Sequence, residues 1–380
     1  MKTIFISFEN YQELHELTLL VKAIKEDYPS WVFILFDTTQ IYGLDSNGLE
    51  PYLGLYTVVI KGKNKFNISF KLLSAAKKIQ LTFLNTLNIL KIFKVYGVDM
   101  MITGVPLVFF RYASFFRKDI FNIAYMRALI IGHSIEHSFS NRLDTKIKRI
   151  PFLKSIPFFD SWYCNLLVTV SEINSKYYLD RGMNPDKIKF SGSLLLDSIE
   201  NKIEKNEHFQ QEIIFLTYAA GWHDNEQAHI EQINVIKKIL SLQNLYNFNL
   251  TIRVHPRDNK DEYYPLIANN DTVKLDTSHI VDFLQSCSKN KVVVSAFSTL
   301  NFEWNYLGGE GYFFTTQNLY STYVNFYKEL EINPYFNIEE MISDVCNHMG
   351  RENGEDIYKK NKEGNINYFK ELIYGELCNA

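Results

Sequence analysis

Cysteine is scarce and unpatterned. The 380 residues contain four, Cys164, Cys287, Cys346 and Cys378, with no C-x-x-C spacing. This excludes a disulfide scaffold and a cysteine-rich zinc site, and it fits a reducing cytoplasm. No stretch approaches the roughly 20 apolar residues of a membrane span. Neither G-x-x-x-x-G-K-[ST] nor G-x-S-x-G occurs, which disfavours P-loop nucleotide hydrolysis and a serine-esterase elbow. There is no D-x-D triplet, no short internal repeat and no low-complexity tract. Acid is missing from Lys61 to Val98, a segment with eight lysines.

What is present suits packed cores. The chain is 46% apolar and 15% aromatic, so disorder is not expected. Its length exceeds what one core usually supports, so two domains are expected. The net charge of −3 hides a split. Residues 1–200 carry 24 basic against 18 acidic side chains, or +6, and residues 201–380 carry 16 against 25, or −9. A basic first half suits an anionic acceptor or membrane surface, and equally a solvated lysine face. No nucleic-acid motif accompanies the charge. The N-terminus turns polar after KTIFISF and reads as a first strand rather than a signal peptide.

Strand and helix patterns alternate along the chain. KTIFISF, WVFILFD, LYTVVIKG, VDMMITG and MRALIIGH (126–133) read as strands, with a helical pattern through Leu14, Leu17, Val21 and Ile24. Asn67 to Tyr96 has apolar residues at helical spacing, as one long or two broken amphipathic helices. NLLVTVSE and KIKFSGS follow as strands, and the charged stretch Asp197–Glu212 reads as the interdomain linker. EIIFLTYAAGWHDN opens a second series: a helix over Glu226–Leu242, TIRVHP, a helix around Asp282, KVVVSAFS and GGEGYFFTT. The segment Asp356–Leu377 reads as an amphipathic helix. Such alternation predicts right-handed βαβ units and parallel sheets.

Chemistry concentrates between Thr251 and Glu303. Leu250, Ile252 and Val254 form an apolar run stopped by His255, Pro256 and Arg257. Val292–Val294 run into Ser295, then Ser298 and Thr299, with Glu303 opening a helix. Ligands of parallel sheets bind beyond the carboxyl ends of the strands. Hydroxyls at a helix start suit phosphate oxygens, although the same residues also serve as ordinary helix caps. The stretch therefore predicts a phosphate-bearing ligand held by His255, Arg257, Ser298 and Thr299. Gly221 permits close backbone approach in the turn after EIIFLTY, where Trp222 and His223 are further candidates. GHSIEHS (132–138) offers His133 and Glu136 as general bases. His133 and His137 are four apart, but no third ligand accompanies them, so no metal is expected.

DSWYCNLLVTVSEINSKYYLDRGMNPDKIKFSGSLLLD resembles the V-x-E … G … D-K-I-x-x-x-G-x-x-x-x-D segment of bacterial GT-B glycosyltransferases and of related UDP-GlcNAc 2-epimerases. RVHPRDN is similar to the His-Pro motif of sialyl-, Kdo- and CDP-polyol-transferring enzymes, and VVVSAFSTLNFEWNYLG to their serine-rich segment. The resemblance covers about Asp160 to Gly308. The chain departs from the epimerase pattern twice, with WHDNE where a His-Arg pair is expected and SFENYQE in place of a Gly-Thr-Arg-Pro segment.

The resemblance implies an α/β chain of two Rossmann-like domains facing across a cleft (GT-B). Residues 1–198 would form the acceptor domain, residues 211–355 the nucleotide-sugar domain, and residues 356–380 a helix returning to the first domain. The implied activity is metal-independent glycosyl transfer, with no cofactor beyond the donor. The donor would be a CMP-nonulosonate, CMP-Kdo or UDP-sugar. The acceptor would be a capsule, O-antigen or lipooligosaccharide glycan at the cytoplasmic membrane face. The alternatives are a nonhydrolysing UDP-sugar 2-epimerase, a CDP-polyol phosphotransferase and a non-catalytic nucleotide-sugar-binding subunit. His255, Arg257, Ser298 and Thr299 would hold the nucleotide phosphates, with Pro256 and Ser295 beside them. Gly221 would face the nucleotide, Trp222 and His223 would line the base or the phosphates, and Glu303 would accept from the ribose. His133 would be the base toward the acceptor.

Overall fold

The computed structural model describes residues 1–8, 10–42, 49–64, 75–104, 108–127, 164–179, 183–200, 202–203, 211–218, 226–255, 258–268, 270–288, 291–348 and 361–378. The chain divides into two compact units. One runs to Asp197 and takes back Lys359–Ala380, and the other spans Ser198–Tyr358.

The first unit is built on seven parallel strands: β1 (Thr3–Ser7), β2 (Val32–Asp37), β3 (Val58–Lys61), β4 (Met100–Thr103), β5 (Phe121–Met126), β6 (Leu166–Thr169) and β7 (Ile188–Phe190). Their order is β3-β2-β1-β4-β5-β6-β7. The direction of the order reverses between β1 and β4, the doubly wound arrangement of Rossmann folds. All of β1 and nearly all of β2 are buried, as continuous apolar runs covered on both faces require.

Helix α1 (Tyr11–Asp27) buries Leu14, Leu17, Val21 and Ile24, and the Asn10 side chain caps it by accepting from the Glu13 amide at 2.9 Å. Short helices α2 (Thr39–Tyr42) and α3 (Glu50–Leu53) precede β3. Helix α4 (Ala75–Tyr96) is one uninterrupted helix over the described part of the lysine-rich segment. Gly97, at φ 61°, ends it, since only glycine enters the left-handed region without strain. Its Phe93 ring packs edge-on against Phe5 of β1 at 5.3 Å.

The fifth strand is one that no sequence pattern assigns, and the MRALIIGH run beyond Arg127 lies outside the described residues. The strand covers Phe121–Met126 and ends where that run begins. The polar Asn122 masks the pattern, and its two nitrogens find partners elsewhere in the fold. Its amide donates to Asn165 Oδ1 at 2.8 Å, and its side chain donates to the Ser114 hydroxyl at 2.8 Å. Strands β6 and β7 extend the sheet beyond it. Helices α5 (Val108–Phe116), α6 (Glu172–Leu179) and α7 (Leu194–Glu200) also belong to the unit.

The second unit has a five-stranded parallel sheet: β8 (Glu212–Leu216), β9 (Asn249–Arg253), β10 (Val273–Asp276), β11 (Lys291–Ser295) and β12 (Glu310–Phe313), in the order β10-β9-β8-β11-β12. It repeats the doubly wound order, with the reversal between β8 and β11. Helices α8 (Glu226–Tyr246), α9 (Tyr264–Ile267), α10 (Ile280–Gln285), α11 (Leu300–Tyr306), α12 (Gln317–Glu329) and α13 (Ile338–His348) belong to it. Ile236 and Ile239 of α8 and Met341, Ile342 and Val345 of α13 join Val292 and Val294 in its core.

The C-terminal helix α14 (Asn365–Cys378) packs on the first unit. Phe369, Ile373 and Leu377 form its buried row, at i, i+4 and i+8. Phe369 sits 5.5 Å from the Tyr125 ring, Tyr374 stacks on Tyr28 at 5.1 Å, and Lys370 pairs with Asp27. The Asn361 and Asn365 amides donate to the Ser191 and Ser193 carbonyls at 2.7 and 3.1 Å.

Candidate functional site

The second sheet sets its polar residues at the carboxyl ends of three adjacent strands. In register, Leu216 of β8 pairs with Arg253 of β9, and Phe215 of β8 pairs with Val294 of β11. His255 lies two residues beyond β9, Thr217 and Tyr218 follow β8, and Ser295 ends β11. The crevice outside such ends, where the strand order reverses, is where doubly wound sheets bind ligands. Contacts link the three ends. The His255 amide donates to Thr217 Oγ1 at 2.8 Å, and the Tyr218 ring meets Phe297 at 4.9 Å, next to Ser298.

The serine loop is internally braced. The Ser298 amide donates to Ser295 Oγ at 3.3 Å, and the Leu300 amide donates to Ser298 Oγ at 3.2 Å. Ser298 thus supplies the capping hydroxyl, while Thr299 occupies the cap position without a side-chain bond. A hydroxyl that accepts still has its own proton to donate, so both serines retain a donor for an anionic oxygen. Ser295 is buried, and Ser298 and Thr299 are half-buried. Glu303 is buried one turn along, its amide donating to the Thr299 carbonyl at 3.3 Å. Burial on the helix face shared with Thr299 is more than a first-turn acid needs. Phe297 stacks on Tyr323 at 3.8 Å, and the Tyr327 hydroxyl donates to the Ala296 carbonyl at 2.6 Å.

Beneath His255 lies a polar network with no counterpart in the sequence reading. The buried Gln232 of α8 accepts from the Tyr218 amide at 2.7 Å and donates to the Tyr263 hydroxyl at 2.7 Å. That hydroxyl donates to Asp258 at 2.5 Å. Burial, then the Asp258 hydrogen bond, pushes the Tyr263 hydroxyl above the usual tyrosine range, so it remains a donor at physiological pH. The only sequence signal was Asp258 itself, inside RVHPRDN; no periodicity marks Gln232 or Tyr263.

Arg253, the last residue of β9, pairs with Asp276 of β10 and lies 4.0 Å over the Phe283 ring. Burial lowers the Arg253 pKa against the raising effect of Asp276. At Asp276 burial acts upward, but hydrogen bonds from Ser278 and the Arg253 charge outweigh it and hold the carboxyl below its usual value. Burial pushes the Cys164 and Cys287 thiols up to about 12, away from thiolate reactivity.

Gly221, Trp222, His223, Pro256, Arg257, His133, Glu136 and His137 lie outside the described residues. Among the described residues, no group of three His, Cys, Asp or Glu side chains is placed to hold a metal, and no helix is long and apolar enough to cross a membrane. A cavity of about 280 Å³ in the first unit is lined by Ser114, Lys118, Asn122, Cys164, Asn165 and Lys187. It opens at the amino ends of β5, β6 and β7, the end of the sheet away from ligand sites of this architecture.

No family model matches the chain, and no curated protein matches it in sequence. Solved structures match it over its whole length. The UDP-GlcNAc 2-epimerase of Neisseria meningitidis bound to UDP-GlcNAc superposes with a TM-score of 0.65 at 14% identity, covering 100% of both chains. The Methanocaldococcus jannaschii UDP-GlcNAc 2-epimerase in complex with UDP-GlcNAc and UDP gives 0.60 at 16% identity, covering 99% of this chain and 100% of that one. The glycotransferase of kitacinnamycin gives 0.50 at 8% identity, covering 92% and 90%. At such identities the likeness concerns the fold: two Rossmann-like units of GT-B type, as in these epimerases and this transferase.

Proposed function

We propose that this chain is a nucleotide-sugar enzyme that holds a UDP-linked sugar at the carboxyl ends of β8, β9 and β11, and that the reaction is epimerisation beside the anomeric carbon. The observation that carries the reading is the juxtaposition of the His255, Thr217 and Ser295–Thr299 ends where the strand order reverses. The whole-length neighbours in complex with UDP or UDP-GlcNAc support UDP as the nucleotide. In this reading His255 and Arg257 face the diphosphate, and Ser298 and Thr299 donate hydroxyl protons to it. Glu303 accepts from the ribose, Gly221 and Trp222 line the base, and His133 and Glu136 serve as acid and base. No metal step is invoked.

The test is incubation with UDP-GlcNAc alone in D2O, followed by proton NMR. Inverting the C2 centre breaks the C2–H bond, so a new sugar signal with deuterium at C2 is the expected result. An unchanged substrate with no acceptor present would sink the epimerase reading.

Glycosyl transfer is the second reading, and two departures favour it. WHDNE stands where the epimerases carry a His-Arg pair, and SFENYQE replaces their glycine-rich segment. In the described part of that segment, α1 starts soon after β1 with an Asn10 cap. Here a CMP- or UDP-linked donor loses its sugar, or a CDP-polyol its polyol phosphate, only when a surface-glycan acceptor is added. Release of free nucleotide only on acceptor addition would select it. Saturable nucleotide binding without turnover under either condition would leave a binding subunit.

A further inference from the structure

The outer face of α4 is apolar where a solvated helix is polar. The buried face is made by Leu81, Asn85, Ile89, Ile92 and Phe93. On the opposite face Ile79 is 72% exposed, Phe83 62% and Leu87 49%, in one i, i+4, i+8 row. Lys91 continues the same row, and Lys94 lies eleven residues on from Phe83, almost directly above it along the helix axis. Both lysines are exposed, as is Lys77 near the start of the helix. Isolated exposed leucines need no explanation, but a contiguous apolar row of roughly a few hundred Å² marks an interaction face.

We propose that this face of α4 docks on an anionic lipid surface, with Ile79, Phe83 and Leu87 entering the interface and Lys91 and Lys94 meeting lipid phosphates. Charge argues for this occupant. From Gly62 to Val98 there is no acidic residue. Lys91 and Lys94 prolong the apolar row with positive charge, which an anionic surface complements. The apolar row beside lysines that reach the headgroups is the pattern of an interfacial helix that lies on a membrane without spanning it. The inference is independent of the nucleotide reading, because the face belongs to the first unit and its test needs no nucleotide.

The test is co-sedimentation of the full chain with vesicles of 30% phosphatidylglycerol in phosphatidylcholine, against pure phosphatidylcholine, at low and high salt. Binding is expected to the anionic vesicles at low salt and to fall as salt screens the lysines. Each lysine near an anionic surface contributes about fivefold, so the Lys91→Gln, Lys94→Gln double variant should bind about 25-fold more weakly. These are exposed positions, so the double variant keeps its fold even if Phe83→Ser does not. Phe83→Ser should weaken binding while keeping the salt dependence. No sedimentation at low salt, or binding that both variants leave unchanged, overturns the proposal. So does a dimer on size exclusion that Phe83→Ser converts to monomer, which would assign the face to a second copy.

Discussion

The backbone amide of His255 donates to the hydroxyl of Thr217, 38 residues earlier, at 2.8 Å. This bond fixes where the turn after β9 begins, against the end of the neighbouring strand. Thr217→Val keeps the shape and removes the acceptor. An unsatisfied buried amide costs about 1–3 kcal/mol, so unfolding should shift by a few degrees. In the proposed site, UDP affinity measured by calorimetry should fall, and Thr217→Ser should restore it. Equal affinity in the valine variant would disconnect this turn from the ligand.

Tyr263→Phe probes the network below. It removes the hydroxyl that accepts from Gln232 and donates to Asp258, leaves only the longer 3.4 Å Gln232–Asp258 bond between them, and keeps the ring packed. The loss should be about 1–3 kcal/mol in urea unfolding of the second unit. A neutral result would mean that water or another side chain replaces the hydroxyl.

Acid should weaken the Arg253–Asp276 pair. The Asp276 carboxyl is held below its usual value in the folded chain, so it binds a proton less readily folded than unfolded. Its contribution is therefore present above the unfolded pKa of about 3.9 and is lost as pH falls below that. Asp276→Asn should destabilise at neutral pH and flatten the fall in stability below about pH 4. A variant as steep as the parent in an acid titration followed by circular dichroism would assign that fall to other carboxylates.

Thiol reactivity should divide the four cysteines. Cys164 and Cys287 are buried with pKa values pushed up to about 12, and burial takes Cys346 to about 11. Cys378 is exposed. Ellman's reagent at neutral pH should titrate one thiol quickly and all four only after denaturation. Fast loss of a second thiol would point to local opening.

Much of the architecture is legible in the sequence, and particular residues show why. VFILFD and KVVVS are continuous apolar runs, which parallel strands require because both faces are covered. The C-terminal helix announced its buried row through the spacing of Phe369, Ile373 and Leu377, although its described part starts at Asn365, later than Asp356. Asn122 interrupts the apolar pattern at β5, and only the fold shows Asn165 and Ser114 alongside to accept from its backbone amide and side-chain nitrogen. The sequence offers both Ser298 and Thr299 as helix caps, and the hydroxyl bond belongs to Ser298.

The sequence by itself determined the alternation of strands and helices and the polar stops after two buried runs. These are properties of neighbouring residues, set by burial and turn chemistry within a few positions. Tertiary structure alone decided the orders β3-β2-β1-β4-β5-β6-β7 and β10-β9-β8-β11-β12, and with them the points where each order reverses. It also brought Thr217 to His255 and placed Gln232, Asp258 and Tyr263 in one network. Those partners lie too far apart in the chain for any local pattern to announce. Each becomes necessary only once packing has removed water from the donor it satisfies.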